Sequence, residues 1–494
     1  MNIAMFLQMA AEACPDRTAL TSAHQHYSYA QLFDAAQAAA NVFRASECAY
    51  VSVLDSSSPA VPIALMGAAI AGMPYVPLNY RLTPEQLNAL IERITPLYLI
   101  AGDAAELAPA LTTVVGREAF LEATLRGTAA EVVWADDPAA VAVQLFTSGT
   151  TGQPKAAILR NEHLVSYILS TVEFMGAEEH EATLVSVPPY HIAGIAAVMS
   201  SLYACRRIVQ LPDFGAAAWL DLCEREQVTN AFVVPTMLSR VIDHLQTIEH
   251  EPQLTKLRAL AYGGGKMPVK VIERALELFP EVDFTNAYGL TETSSTISLL
   301  DPDDHRQAIA SSDPATRGRL GSVGKPLPSV EIEIRNEAGE ALAANQPGEI
   351  YVRGSQVSGE YLERNALGED GWFPTRDAGM LDTHGYLYLS GRADDVIVRG
   401  GENISPAEVE DVLLTHDCVA DAAVVGIPSD EWGETVAAAI VLRPAMDASA
   451  HELQHLVKTT LRSSRVPEAI LFQSQLPYNE TGKLLRRVVR QLFT

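Results

Sequence analysis

The chain has 494 residues, with 35 Lys plus Arg against 61 Asp plus Glu and a formal charge of −26. A field of that sign repels nucleic acid, and 48% hydrophobic with 19% charged residues excludes a disordered chain while allowing about three domain-sized units at roughly 150 residues each. Five widely spaced cysteines, Cys14, Cys48, Cys205, Cys223 and Cys418, show no zinc or redox spacing and predict free thiols in a reducing cytoplasm.

The N-terminal MNIAMFLQMAAEACPDR lacks a basic lead-in and is broken by Glu12, which argues against a cleaved signal. A helix-period block from about Ala30 to Phe43 and an apolar run Tyr50–Leu54 follow. The uncharged stretch Ser56–Tyr80 is interrupted by Pro59, Pro62, Pro74 and Pro77, so it predicts a buried helix and then an extended segment, Met73–Leu78, not a membrane span. Alternation of this kind to about residue 300 predicts an α/β fold with largely parallel strands. From Val330 the period becomes two, with Val330, Ile332 and Ile334 on one face and a turn at Ala338-Gly339, which predicts an antiparallel β-rich part over about 310–393. After Gly400, Ser405, Pro406 and Glu408 predict a capping box opening a helix through Val409, Val412 and Leu413. An apolar run Ala422–Ile427 and a helix carrying Leu453, Leu456, Val457 and Leu461 complete a small α+β unit of about a hundred residues.

One segment has the composition of a phosphate cradle. The predicted strand Val141–Phe146 runs into Thr147, Ser148, Gly149, Thr150, Thr151, Gly152, Gln153, Pro154 and Lys155: four hydroxyls, two glycines and a lysine in nine positions. Glycines let backbone N–H groups approach phosphate oxygens, hydroxyls donate further bonds, and the lysine supplies charge. It is not a Walker loop, and on composition alone a flexible surface turn is an equal reading.

The segment TSGTTGQPK resembles the signature loop of the adenylate-forming superfamily, which includes acyl-CoA synthetases, luciferases and peptide-synthetase adenylation domains. Further matches follow in the family's order over nearly the whole chain. The resemblance implies an α/β fold: a large N-terminal domain, 1–393, of α/β subdomains with a β-barrel-like part, and a small mobile α+β C-terminal domain, 394–494. In Asn286-Ala287-Tyr288-Gly289-Leu290-Thr291-Glu292 it implies an aromatic ring on adenine, a threonine at phosphate and a glutamate holding Mg²⁺. Gly263, Gly264 and Gly265 resemble the glycine turn beside the adenine and acyl pocket. Asp377, in Trp372-Phe373-Pro374-Thr375-Arg376-Asp377, resembles the ribose-gripping aspartate, with Arg376 where the family usually has glycine. Arg392 is expected at nucleotide oxygens and Asp394 at the hinge. Gly400 and Gly401 match the loop that enters the site for thioester formation, and Lys483 the catalytic lysine.

His191, in Pro188-Pro189-Tyr190-His191, resembles the family's histidine at the acyl pocket, which Gly265, Ala287, Gly289 and Ser294 are expected to line as well. Small neutral residues there suggest an aromatic or modest-length acid. The implied activity is an ATP-dependent acid–CoA ligase forming an acyl-AMP with pyrophosphate release, then the CoA thioester, with ATP, Mg²⁺ and coenzyme A required. A carrier-protein pantetheine as acceptor, a catalytically silent nucleotide-binding protein, and a homodimer remain open.

Overall fold

The computed structural model describes residues 1–102, 112–126, 134–147, 154–248, 252–429, 431–478 and 484–493. The large domain is built on a nine-stranded sheet whose order from one edge is Lys325–Pro326, Ser295–Leu300, Asp283–Leu290, Ala259–Gly263, Asn230–Val233, Ala182–Val185, Arg207–Gln210, Thr18–Ser22 and Gln25–Ser28. From Asp283–Leu290 to Thr18–Ser22 all pairings are parallel, as alternating helices and short apolar runs require. A second parallel sheet holds Tyr50–Leu54, Leu97–Ala101 and Thr112–Gly116.

The uncharged stretch folds as expected from its prolines. Its helix Ala60–Ala71 is buried from Ala60 to Ile70 and stops at Gly72, whose φ of +75° supplies a left-handed cap that a side chain would resist. The extended segment beyond it bridges two sheets, with Tyr75 pairing to both Val51 and Val143. No helix among the described residues is long and apolar enough to cross a membrane.

The β-rich part is an antiparallel sheet of Val330–Arg335, Gly348–Gly354, Phe373–Leu381 and Leu387–Arg392. Beside it Glu360–Tyr361 pairs with Lys155–Arg160, which pairs in turn with Val141–Thr147, so the two ends of the Ser/Thr/Gly segment are held in one hairpin, Thr147 opposite Lys155. Arg160 clamps this arrangement by a bidentate pair to Glu360, both bonds 2.8 Å.

The small C-terminal domain has its own sheet, in which Ile397–Arg399 and Glu402–Ile404 form a hairpin against Gly433–Leu442, itself flanked by Val419–Ser429 and Ala469–Gln473. Helices Pro406–Leu414 and Ala450–Thr460 cover it, and Ile397, Val409, Leu413, Val424, Val436 and Leu453 are buried together.

Two sequence expectations fail here. Ser405 is the N-cap of Pro406–Leu414, but its hydroxyl makes no cap bond to the helix; it donates to Ser390 O at 2.6 Å, and Glu408 turns to Arg465. A carbonyl of the adjoining strand competes for the hydroxyl and wins, whereas Ser28, Thr83 and Ser449 form complete capping boxes. Leu461, expected inside the last helix, is its C-cap.

Candidate active site

Gly263, Gly264, Ala287 and Gly289 lie where parallel strands end, the place at which open α/β sheets bind ligands. Gly263 and Ala287 are register partners on neighbouring strands. A Cβ on Gly263 would lie 2.2 Å from Ala287 O, and one on Gly289 only 1.7 Å from Ser295 O, so both glycines are required by close backbone approach. Gly264 follows at φ +80°, turning the chain out with Gly265 exposed. Along Asp283–Leu290 the side chains alternate: Asn286 and Tyr288 are buried, with Asn286 donating to Ser322 O at 3.0 Å, while Ala287 and Gly289 occupy the more open face.

Glu292 sits in a short 3₁₀ turn, Thr291–Thr293, and is 8% exposed. Tyr361 donates to its Oε1 at 2.6 Å, and the Glu292 carbonyl accepts from Ser358 and Gly359 N–H. Burial, with the Glu292 charge adding to it, pushes the Tyr361 hydroxyl above its ordinary value, so it remains a donor at working pH. Lys155 Nζ lies 5.7 Å over the Tyr361 ring. A cleft of about 330 Å³ opens beside this group, lined by Arg93, Lys155, Tyr361 and Arg364 among others, and Arg93 donates to Pro154 O at the end of the Ser/Thr/Gly segment. The cations suit phosphate oxygens. A carboxylate held by a phenol beside such a cleft is the oxygen donor that Mg²⁺ takes together with phosphates and waters, so the donor chemistry fits that ion.

The second cluster is Tyr288, Asp377 and Arg392. Tyr288 OH donates to Asp377 Oδ2 at 2.7 Å, and Arg392 Nε is 3.1 Å from Oδ1, the two residues being register partners on adjacent strands. Arg392 also donates to Thr375 O at 3.0 Å, and Thr375 in turn bonds Ile350 O and the Asp377 N–H. Each carboxylate oxygen has one partner, which leaves lone pairs for hydroxyls of a ligand. Tyr288, expected to stack on adenine, is buried here, and its hydroxyl orients Asp377. Arg376 adopts φ +63°, the left-handed conformation natural to glycine, with its side chain 63% exposed.

His191 caps helix Ile192–Tyr203 without a side-chain cap bond and packs its ring 4.9 Å from Tyr190. Burial pushes its pKa down to about 4, so the imidazole is neutral at pH 7, and Nε2 is buried without a protein partner. Ser294, fully buried at φ +57°, also has an unpartnered hydroxyl, and the strand it precedes adjoins the His191 helix.

Asp394 lies in the 3₁₀ turn Ala393–Asp395, between the strands Leu387–Arg392 and Ile397–Arg399, beside Asp395, which is 3.6 Å from Arg486. Gly400 and Gly401, at φ +57° and +82°, form the tip of the Ile397–Ile404 hairpin, where Gly400 packs against Trp432. Ser148, Gly149, Thr150, Thr151, Gly152 and Lys483 lie outside the described residues. Tyr361 escapes sequence reasoning, since a two-residue strand has no periodicity to read.

The AMP-binding enzyme family matches residues 7–362, and the AMP-binding enzyme C-terminal domain matches 408–483. The 2-succinylbenzoate–CoA ligase of Bacillus licheniformis is 32% identical over 97% of this chain and 98% of its own length. The o-succinylbenzoate CoA synthetase of Bacillus subtilis, solved with its acyl-adenylate intermediate, superposes with a TM-score of 0.84 at 29% identity, covering 98% of this chain and 97% of that one. An amide bond synthetase from Marinactinospora thermotolerans superposes at 0.87 with 26% identity over the whole of both chains. With its motifs in order, its two carboxylate clusters formed and both family domains matched, the chain belongs to the AMP-binding, adenylate-forming enzymes.

Proposed function

We propose that this enzyme is a cytoplasmic acid–CoA ligase that activates 2-succinylbenzoate, or an aromatic acid with the same ketone and second carboxylate. The reaction type rests on the Lys155–Tyr361–Glu292 group standing beside a cationic cleft, with Asp377 poised by Tyr288 and Arg392. The choice of acid rests on the full-length likeness to 2-succinylbenzoate–CoA ligases. It is supported by the unpartnered Ser294 hydroxyl and His191 Nε2, since buried polar atoms left open in the protein are satisfied by a ligand's polar groups.

A carboxylate is a poor electrophile, and its oxide a poor leaving group; joining it to AMP corrects both. In our reading Asp377 takes the ribose hydroxyls, Gly263 and Gly264 let the nucleotide approach the backbone, and Thr147, Thr291 and Lys155 hold phosphate oxygens. Glu292 would hold Mg²⁺, which supplies charge neutralisation on the triphosphate. The substrate carboxylate is then aligned for in-line attack on the α-phosphate, with Lys483 stabilising charge that builds in the transition state. We place the domain boundary at 393/394, with Asp394 as the hinge that lets Gly400 and Gly401 replace Lys483 for thioester formation. Coenzyme A is the thiol we assign.

Pyrophosphate release should be measured with 2-succinylbenzoate, benzoate and aliphatic acids, each with and without CoA. Release with 2-succinylbenzoate and a CoA thioester product is the expected result. Release with other acids only would overturn the substrate assignment, and adenylate without thioester would move the acceptor to a carrier-protein thiol.

A further inference from the structure

The helix Val269–Leu278 starts four residues after the glycine turn at the pocket, and two lysines at that start cross to the C-terminal domain. Lys266 Nζ is 2.7 Å from Asp411 Oδ2 and donates to Ala407 O at 3.2 Å. Lys270 donates to Thr415 O at 2.7 Å and stands 3.7 Å from Asp417. Lys266, on the segment leading into that helix, and Lys270, in its first turn, thus meet Asp411 on Pro406–Leu414 and the cap residue Thr415 that ends it. Thr415 is the C-cap of Pro406–Leu414, where the helix dipole adds negative potential that favours a cation.

These contacts are half-open to water: Lys266 and Asp411 are 38% and 50% exposed, and Lys270 and Asp417 are 51% and 96%. Exposed ion pairs are individually weak and re-form without repacking a core. That is the property needed by a contact that holds one of two domain orientations and still lets it go, since an equilibrium between such states is shifted by small differences in free energy.

We propose that Lys266 and Lys270 are positioning residues: their charge holds the C-terminal domain in the orientation seen here and thereby sets the ratio of the two half-reactions. The kinetic part rests on the ligase reading above. The test is the variant Lys266→Glu/Lys270→Glu, assayed by acyl-adenylate formation, by thioester formation from supplied adenylate, and by small-angle scattering of the full chain. The ratio of the two rates should change by about 5–30-fold, as expected for losing two weak contacts from one orientation, and the scattering profile should shift. Reversing both signs of one contact, Lys266→Glu with Asp411→Lys, should recover part of the ratio relative to Lys266→Glu alone. A ratio unchanged within about twofold, parallel loss of both steps, or an exchanged pair no better than Lys266→Glu would overturn the proposal. If no acid were activated at all, the ligase reading would fail, while an unchanged scattering profile in the double variant would refute the latch independently.

Discussion

Replacing Tyr361 by phenylalanine removes one oxygen and keeps the ring, so it isolates the hydrogen bond to Glu292 from the contact with Lys155. The bond is 2.6 Å long and reaches a carboxylate that is 8% exposed, a setting in which hydrogen bonds to charged groups contribute about 1.5–3 kcal/mol. If Tyr361 fixes the carboxylate for the metal-bound triphosphate, that loss appears in the adenylation barrier as a decrease of roughly 10–100-fold, at 1.36 kcal/mol per decade. The assay is acid-dependent ATP–pyrophosphate exchange over graded Mg²⁺, where the variant should also require more metal for half-maximal rate. Thioester formation from supplied acyl adenylate involves no triphosphate and should stay within about twofold of the parent enzyme. Unaltered exchange with an unaltered Mg²⁺ dependence would refute the role given to Tyr361; equal loss in both half-reactions would show that it acts through the fold.

Arg376→Gly should stabilise the protein by about 0.5–1 kcal/mol, because a non-glycine residue at φ +63° is strained and its exposed side chain makes only a distant approach to Glu349; a lower thermal midpoint would contradict this. Lys483→Ala should abolish most adenylation yet spare thioester formation from supplied adenylate, and comparable losses in the two steps would remove its single-step role. Burial raises the Asp421 carboxyl from 3.8 to about 6, against the Tyr478 hydroxyl that bonds it. The folded state therefore holds an extra proton between about pH 4 and 6, and stability falls as pH rises through that window. Asp421→Asn should remove that fall and leave the variant about 1–2 kcal/mol more stable at pH 7, with no gain at pH 4; denaturation at the two pH values tests this.

The layers of this fold are legible because they follow from local pattern. Alternation of helix-period blocks with apolar runs gives parallel strands, period two after Val330 gives the antiparallel sheet, and prolines in Ser56–Tyr80 convert an apolar stretch into a helix and an extended bridge. What is not legible depends on partners remote in sequence. Tyr361 reaches Glu292 from a short strand that pairs with Lys155–Arg160 and is gripped at Glu360 by Arg160, 200 residues away. Ser405 has every local feature of a capping residue and is taken by Ser390 O instead, an acceptor supplied by a strand that no helical window contains. Resemblance names the motif residues one by one, but the mutual bonding of Tyr288, Asp377 and Arg392 follows from strand register and folding.

The departures from local rules are themselves informative about where the chemistry lies. Non-glycine residues at positive φ occur in ordinary turns, such as Ala23 and Asn345, but Ser294 at +57°, Ser295 at +108° and Arg376 at +63° fall within three residues of Glu292 or next to Asp377. Strain of this kind persists where surrounding contacts over-determine the backbone. Here those contacts are visible: Ser295 O is pressed against Gly289, Thr293 Oγ1 donates to Ser295 O, and Gln356 holds the Thr293 and Thr296 carbonyls. On this loop the Ser294 hydroxyl is buried without a partner. Positive-φ backbone beside Glu292 and an unsatisfied buried hydroxyl therefore occur on the same loop, the combination expected of a loop shaped for a polar group of a ligand.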